Sequence, residues 1–412
     1  MFFTLAQTEK AVPLVTSDLG VLAVLLIVLA VLFWSDTTRA GSKFFSIVPM
    51  LVFCYFVPTA LTTAGVLPDD AAVYGWIKSY LLPASLVLLI LALDLPGIAR
   101  LGPKAVIMLL AGTAGVVVGG PIALFLVDSV LPGSAALPDD AWRGFTALSG
   151  SWIGGGANFV ALGEISEVTP EMLGLMVIVD VAVANVWMGV LLFLAGKQQA
   201  IDKWTGADTG AIEDLKRRVA EFQEKTARIP TLADYIVMLA IAFGGTWAAV
   251  RGGVWLGAVA PVFGATVWKF ILVTTLGVVL SMTRARRYDG AGASKIGSVF
   301  LYLLVASIGA HANFATMFAN PAAAGLLAVG AVWMLVHIAV LLAVGRLIRA
   351  PIFFVAVGSQ ANIGGAASAP IVASAFHPTL APVGVLLAVA GYVLGTYAGL
   401  LCMWGLKWAA GA

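Results

Sequence analysis

The sequence predicts an all-α polytopic membrane protein built as an inverted repeat, two halves of five transmembrane helices plus one re-entrant hairpin each. Three observations predict it. The chain of 412 residues is 61% hydrophobic and 11% charged, where a soluble domain carries about 25% charged residues. Apolar stretches of the length needed to cross a bilayer recur from Asp18 to the C-terminus. Two glycine-rich polar stretches interrupt them about 209 residues apart, Gly150-Ser151-Trp152-Ile153-Gly154-Gly155-Gly156-Ala157-Asn158 and Gly358-Ser359-Gln360-Ala361-Asn362-Ile363-Gly364-Gly365-Ala366. Glycine breaks a helix and frees backbone groups that hydrocarbon cannot satisfy. Such a break persists at membrane depth only inside protein or along a water-filled cavity.

Residues 1–196 read as the first repeat. Its long segments are Asp18–Trp34, Phe44–Gly65, Ala72–Leu93, Ala105–Val127 and Met172–Gly196, with the interrupted segment at about residues 141–163. Residues 197–230 form a linker with an amphipathic helix at Ala211–Ala227, where Ile212, Leu215, Val219 and Phe222 share one face. Residues 231–412 repeat the order: Leu232–Val250, Pro261–Met282, Ser298–Phe314, Pro321–Val344 and Thr379–Leu406, with the interrupted segment at about residues 351–375. Met1–Thr16 has no cleavage pattern and is not read as a signal peptide.

Basic residues favour cytoplasmic loops. Arg39 and Lys43, Arg100 and Lys104, and the linker's Lys216, Arg217, Arg218, Lys225 and Arg228 therefore lie inside, while Asp69, Asp70, Asp139 and Asp140 lie outside. This places the N-terminus outside, in what we expect to be a bacterial inner membrane. It also requires the segment at 141–163 to enter and return on one side. Two arms of about ten residues rise about 15 Å each, so their glycine tip reaches the midplane. Five crossings per half invert the second half, and the hairpins enter from opposite sides.

Carbonyls and amides at an unwound tip suit a hard cation, and N–H groups at a half-helix N-terminus suit an anion. Substrate binding is expected at Ser151, Gly155, Gly156, Asn158, Ser359, Gln360, Asn362, Gly364, Gly365 and Ser368, joined by His311. Asp180 lies in the middle of Met172–Gly196, and an acid at membrane depth is costly and reads as functional. Cation coupling is expected at Asp180, Asn185 and Asp94, with Asp180, Asn158 and Asn362 as ligands for sodium. His337 reads as structural, Glu164 as a solvated loop acid, and Cys54 and Cys402 as packing residues.

The tip glycines Gly155, Gly156, Gly364 and Gly365, one pair per half, resemble those of the citrate–sodium (2-hydroxycarboxylate) and glutamate–sodium symporter classes. Through Gly154–Asn158 and Ser359–Pro370 the whole chain more closely resembles domain-of-unknown-function family 819, a bacterial and plastid membrane family. The better-known classes imply sodium- or proton-coupled uptake, a homodimer with a scaffold, and a moving domain that carries both hairpins. The citrate symporters place an Arg in the last helix. Thr379–Leu406 has none, which counts against a di- or tricarboxylate.

The function expected is therefore a cation-coupled secondary transporter of a small organic solute, with elevator-type alternating access. Its partners are that solute, a coupling cation, the lipid bilayer and a second copy of the chain. No cofactor is expected. A net charge of +2 with scattered basic residues excludes nucleic acid. The alternative is a cation/proton antiporter that uses Asp180. An enzyme is not expected, since no phosphate loop, HExxH or nucleophile elbow occurs. A membrane enzyme would have to use Asp94, Asp180 or His311 as acid and base.

Overall fold

Every regular element among the described residues is helical. The structure, a computed structural model, describes residues 13–45, 50–130, 137–208, 210, 229–312, 322–377 and 380–412. Helix α1 (Asp18–Asp36) begins at Ser17, whose hydroxyl accepts from the Gly20 N–H. Helices α2 (Arg39–Phe45), α3 (Met50–Thr63) and α4 (Ala72–Leu91) follow, α4 with one π-helical turn at Ile77–Leu81. Next come α5 (Leu95–Arg100), α6 (Pro103–Val130), α7 (Ala141–Gly154), α8 (Gly156–Ser166), α9 (Pro170–Ala195) and α10 (Gln198–Thr205). The second half holds α11 (Leu232–Val259), α12 (Ala265–Ser281), α13 (Ala293–His311), α14 (Ala323–Leu347), α15 (Ile352–Ile363), α16 (Gly365–Phe376) and α17 (Ala381–Ala409).

Eight of these helices are long and apolar enough to cross a membrane, or nine if α2 and α3 together make one span. Among the described residues the expected count of ten is thus not met by length. Helix α3 has 14 residues and α12 has 17, against the roughly 20 of a full span. The apolar run at Pro261 starts before the helix does, because residues 261–263 form a turn and the helix begins only after Gly264. The expected helix Ala211–Ala227 lies outside the described residues.

Large apolar side chains cover the outside: Ile27, Val31, Val186, Phe193, Trp247, Val254 and Leu335 are all exposed. A water-soluble protein rarely presents such a surface. The interrupted segments lie inside it. All twelve residues of α15 are buried, as are all of α7 except Arg143.

Each interrupted segment folds back on itself. In the first, the Ser166 hydroxyl donates to the Arg143 carbonyl at 3.0 Å and the Arg143 guanidinium donates to the Ser166 carbonyl. In the second, the Phe353 and Phe376 rings meet edge-on at 5.5 Å between centroids. Nearer its tip, Gln360 Nε2 donates to Ser368 Oγ at 2.7 Å. The helices also sort into two sets. Helices α1, α3, α4, α11, α12 and α13 pack mainly on one another. Helices α6 to α9 and α14 to α17 pack mainly on one another, and contacts between the sets are sparser.

Candidate functional site

The two tips abut. The first turns at Gly155, with φ 75° and ψ −172°, a region open essentially to glycine alone. The second turns at Gly364, and Gly365 follows in the left-handed region at φ 58°. A Cβ on Gly365 would lie 3.6 Å from Gly155 Cα. Beside this junction is a cavity of about 600 Å³. One wall consists of Ser151, Gly155, Gly156, Gln360, Gly364, Gly365 and Ser368 from the tips, with Asp180 and Asn185 from α9. The opposite wall, with Met50, Leu51, Leu301 and Tyr302, belongs to the other helix set, and Asp36 at the end of α1 joins it. The cavity therefore lies on the boundary between the sets.

Asp180 is half-buried on α9. Its carboxylate accepts from Ser151 Oγ at 2.6 Å and from Trp152 Nε1 at 2.8 Å. Both donors sit in the last turn of α7, so the first hairpin holds the acid by its tip. Two turns further along the same face, Trp187 Nε1 donates to Ser359 Oγ at 2.8 Å in the second hairpin. Helix α9 thus carries a contact to each hairpin. Ser359 Oγ also lies 2.8 Å from His337 Nε2, and His337 Nδ1 lies 3.0 Å from the Gly112 carbonyl. A carbonyl only accepts, so in the neutral ring Nδ1 carries the hydrogen and Ser359 donates to Nε2. Ser359 and His337 do not line the cavity.

The two asparagines are also held by protein. Asn158 Nδ2 donates to the Gly154 and Tyr392 carbonyls at 3.2 and 3.0 Å, and its Oδ1 accepts from Thr396 Oγ1 at 3.0 Å. Asn362 Nδ2 donates to the Gly358 and Leu109 carbonyls at 2.8 and 2.9 Å, and its Oδ1 accepts from Thr113 Oγ1 at 2.8 Å. Each asparagine fastens its tip to a long helix, α17 or α6.

Several expectations are corrected. The sodium set of Asp180, Asn158 and Asn362 is not assembled, because only Asp180 lines the cavity. Both amide nitrogens spend their hydrogens in the clamps just described, and each oxygen already accepts from a threonine. His311 lies elsewhere, with Nδ1 2.7 Å from the Asp69 carbonyl and its ring against Tyr74. Asp94 caps α5 through the Gly97 N–H at 2.8 Å and pairs with Arg286, away from the cavity. Glu164 is not a free loop acid: Lys269 Nζ lies 2.8 Å from its Oε1 and Lys78 Nζ 3.9 Å from its Oε2. Among the described residues no group of three His, Cys, Asp or Glu side chains is placed to hold a metal ion.

Sequence reasoning brought Ser151, Gly155, Gly156, Asp180, Asn185, Gln360, Gly364, Gly365 and Ser368 to one cavity. It missed Tyr302, Tyr392 and Asp36 on the cavity wall, and Trp152 behind it as a donor to Asp180. Trp152 stands within the first glycine-rich stretch, and its fully buried position separates it from interfacial tryptophans.

Comparison with known proteins agrees with a membrane protein. A 26% identical stretch of 350 residues, covering 82% of this chain and 85% of the relative, relates it to the "Uncharacterized membrane protein YjcL" of Bacillus subtilis (strain 168). The model of the family described as "Protein of unknown function (DUF819)" matches residues 23–408. With that match over nearly its whole length, the chain belongs to the DUF819 family of membrane proteins.

Proposed function

We propose that the protein is a secondary active transporter of a small organic solute, driven by sodium or protons, and not an enzyme. The observation that carries this reading is the position of the cavity. It lies where two broken-helix tips meet and where the two helix sets face one another. A solute held there by α6 to α9 and α14 to α17 is carried if that set slides against the other, which is elevator-type alternating access. In this reading the hairpins are re-entrant and the halves are an inverted repeat. Its support is that the first three long segments of each half form one helix set, while the fourth, the hairpin and the fifth form the other. The orientation with the N-terminus outside and the homodimer go with the reading.

The size of the cavity favours an organic solute over a cation/proton antiporter. About 600 Å³ falls within the roughly 300–1,000 Å³ of organic-ligand sites and exceeds what a bare cation occupies. The enzyme reading loses its acid–base partners, since Asp94 and His311 do not reach Asp180.

The test is the thermal stability of purified protein in sodium against potassium or choline, at two pH values. A ligand that binds only the folded state raises the melting temperature. A sodium-specific rise lost in Asp180→Asn is the result expected for sodium coupling. A dependence on pH abolished by the same substitution identifies the proton instead. If Asp180→Asn changes neither response, the site is wrongly placed.

A further inference from the structure

We infer that the solute is a zwitterion, with its ammonium group at Asp180 and its carboxylate at the first turn of α16. This rests on the transport reading and names the substrate class of the same cavity. Among the described residues the charged side chains on its wall are Asp36 and Asp180, and no Lys, Arg or His lines it. An anion therefore finds no cationic partner there. The hydrogen bonds from Ser151 and Trp152 orient the Asp180 carboxylate without neutralising it. Each of its oxygens keeps a lone pair for a further donor, which an ammonium group supplies.

A second acceptor points the same way. Gln360 is 1% exposed, lines the cavity and spends its Nε2 on Ser368. Its Oε1 is buried and has no partner among the described residues. A buried polar atom without a partner is unfavourable, and a donor on the solute removes that penalty. With the amide turned over, the free end is an N–H donor instead, which the carboxylate of the same solute satisfies.

The donors of the wall are backbone groups. Gly365, Ala366, Ala367 and Ser368 line the cavity and form the first turn of α16. The first N–H groups of a helix have no partner within it and carry the positive end of its dipole. Gly365 has no side chain to keep a carboxylate away. Leu51, Val181, Met188 and Ile363 supply apolar wall for the rest of the solute. A simple amine leaves the α16 N–H groups unused, and a simple acid leaves Asp180 and Gln360 unused. A zwitterion uses both.

The experiment is a thermal-shift screen of the full-length protein in sodium with the proteinogenic L-amino acids. For each one that binds, the amine lacking its carboxylate and the acid lacking its amino group are added as matched probes. We expect at least one amino acid to raise the melting temperature and both truncated probes to fail. Asp180→Asn should weaken binding about tenfold, the size of one lost charge-assisted hydrogen bond. Where that variant does not fold, Ser151→Ala, which frees the carboxylate to turn away, takes its place. An amine or an acid that binds as well as its amino acid overturns the inference, and so does a screen in which no amino acid binds. Failure of the transport reading is distinguishable. A sodium or pH response that depends on Asp180, with no amino acid bound, sinks the zwitterion alone. An amino acid that binds but is not accumulated by proteoliposomes under any cation gradient sinks transport alone.

Discussion

Asn158 in the first hairpin and Asn362 in the second hold their tips by the same three hydrogen bonds. Each amide nitrogen donates to the carbonyl four residues back and to a carbonyl of a long helix, and each amide oxygen accepts from a threonine one turn further along that helix. Past these clamps the tips diverge. The first points Ser151 and Trp152 at a carboxylate. The second has a neutral pair, Gln360 and Ser368, bonded to each other, and an amide oxygen left over. Even their glycines are required for different reasons. Gly155 occupies a backbone region closed to other residues. Gly364 has an ordinary φ of −112°, but a Cβ there would sit 1.7 Å from Ser368 Oγ. A shared frame thus carries unlike chemistry, and resemblance between the tips in sequence does not make their polar residues equivalent.

The largest expected effect tests this inequality directly. Asp180→Asn should abolish coupled uptake into proteoliposomes, while Ser368→Ala at the other tip should leave measurable uptake. Equal losses would erase the distinction. The clamps should behave alike. Asn158→Ala and Asn362→Ala each leave buried groups unpaired, at about 1–3 kcal/mol per group, and should lower the unfolding temperature by similar amounts. A drop confined to one of them would show that the matching bonds are not matching supports.

The glycines separate the tips again. Gly155→Ala should cost about 1–3 kcal/mol through backbone strain, and its nearest neighbour, Tyr392 at 3.9 Å from the added Cβ, leaves no clash to relieve. Gly364→Ala should be partly rescued by Ser368→Gly, which removes the obstructing hydroxyl. Rescue at neither position, read from unfolding temperatures, would break that part of the comparison.

A smaller effect concerns the ion pair that joins the first hairpin to α12. Glu164 and Lys269 are 16% and 14% exposed, so Glu164→Gln should destabilise by about 1 kcal/mol. Added salt should weaken the stability difference between the two proteins. The smallest effect lies near the entrance to the second hairpin. Lys104 donates to Asp208 at 2.9 Å and holds its carboxyl below the usual carboxylate range. A lowered folded value means stabilisation present above the unfolded pKa of about 3.9 and lost as pH falls through the folded one. Asp208 is exposed, so Lys104→Ala should remove only a slight acid-side dependence of the unfolding temperature.

Much of the molecule could be read from local pattern alone. Composition and apolar length establish a helical membrane protein, because an unbroken apolar run of about 20 residues that must pair its own backbone in hydrocarbon is a helix. Glycine clusters locate both breaks, and one acid in an apolar run marks Asp180. Span length was read less well at Pro261–Met282, where apolar sequence begins before the helix that forms. What a polar residue at a break does was not readable from its neighbours. Asn362 resembles a ligand in sequence, yet its partner Leu109 stands 253 positions away. Asn158 turns to Tyr392 and Thr396, and His311 to Asp69. The hydropathy of a segment is a sum over its own residues, so the sequence by itself determines which segments are apolar enough to cross a membrane and where its helices break. A hydrogen bond needs a second group brought within about 3 Å. Only the tertiary packing therefore decides which polar side chains brace the tips and which face the cavity.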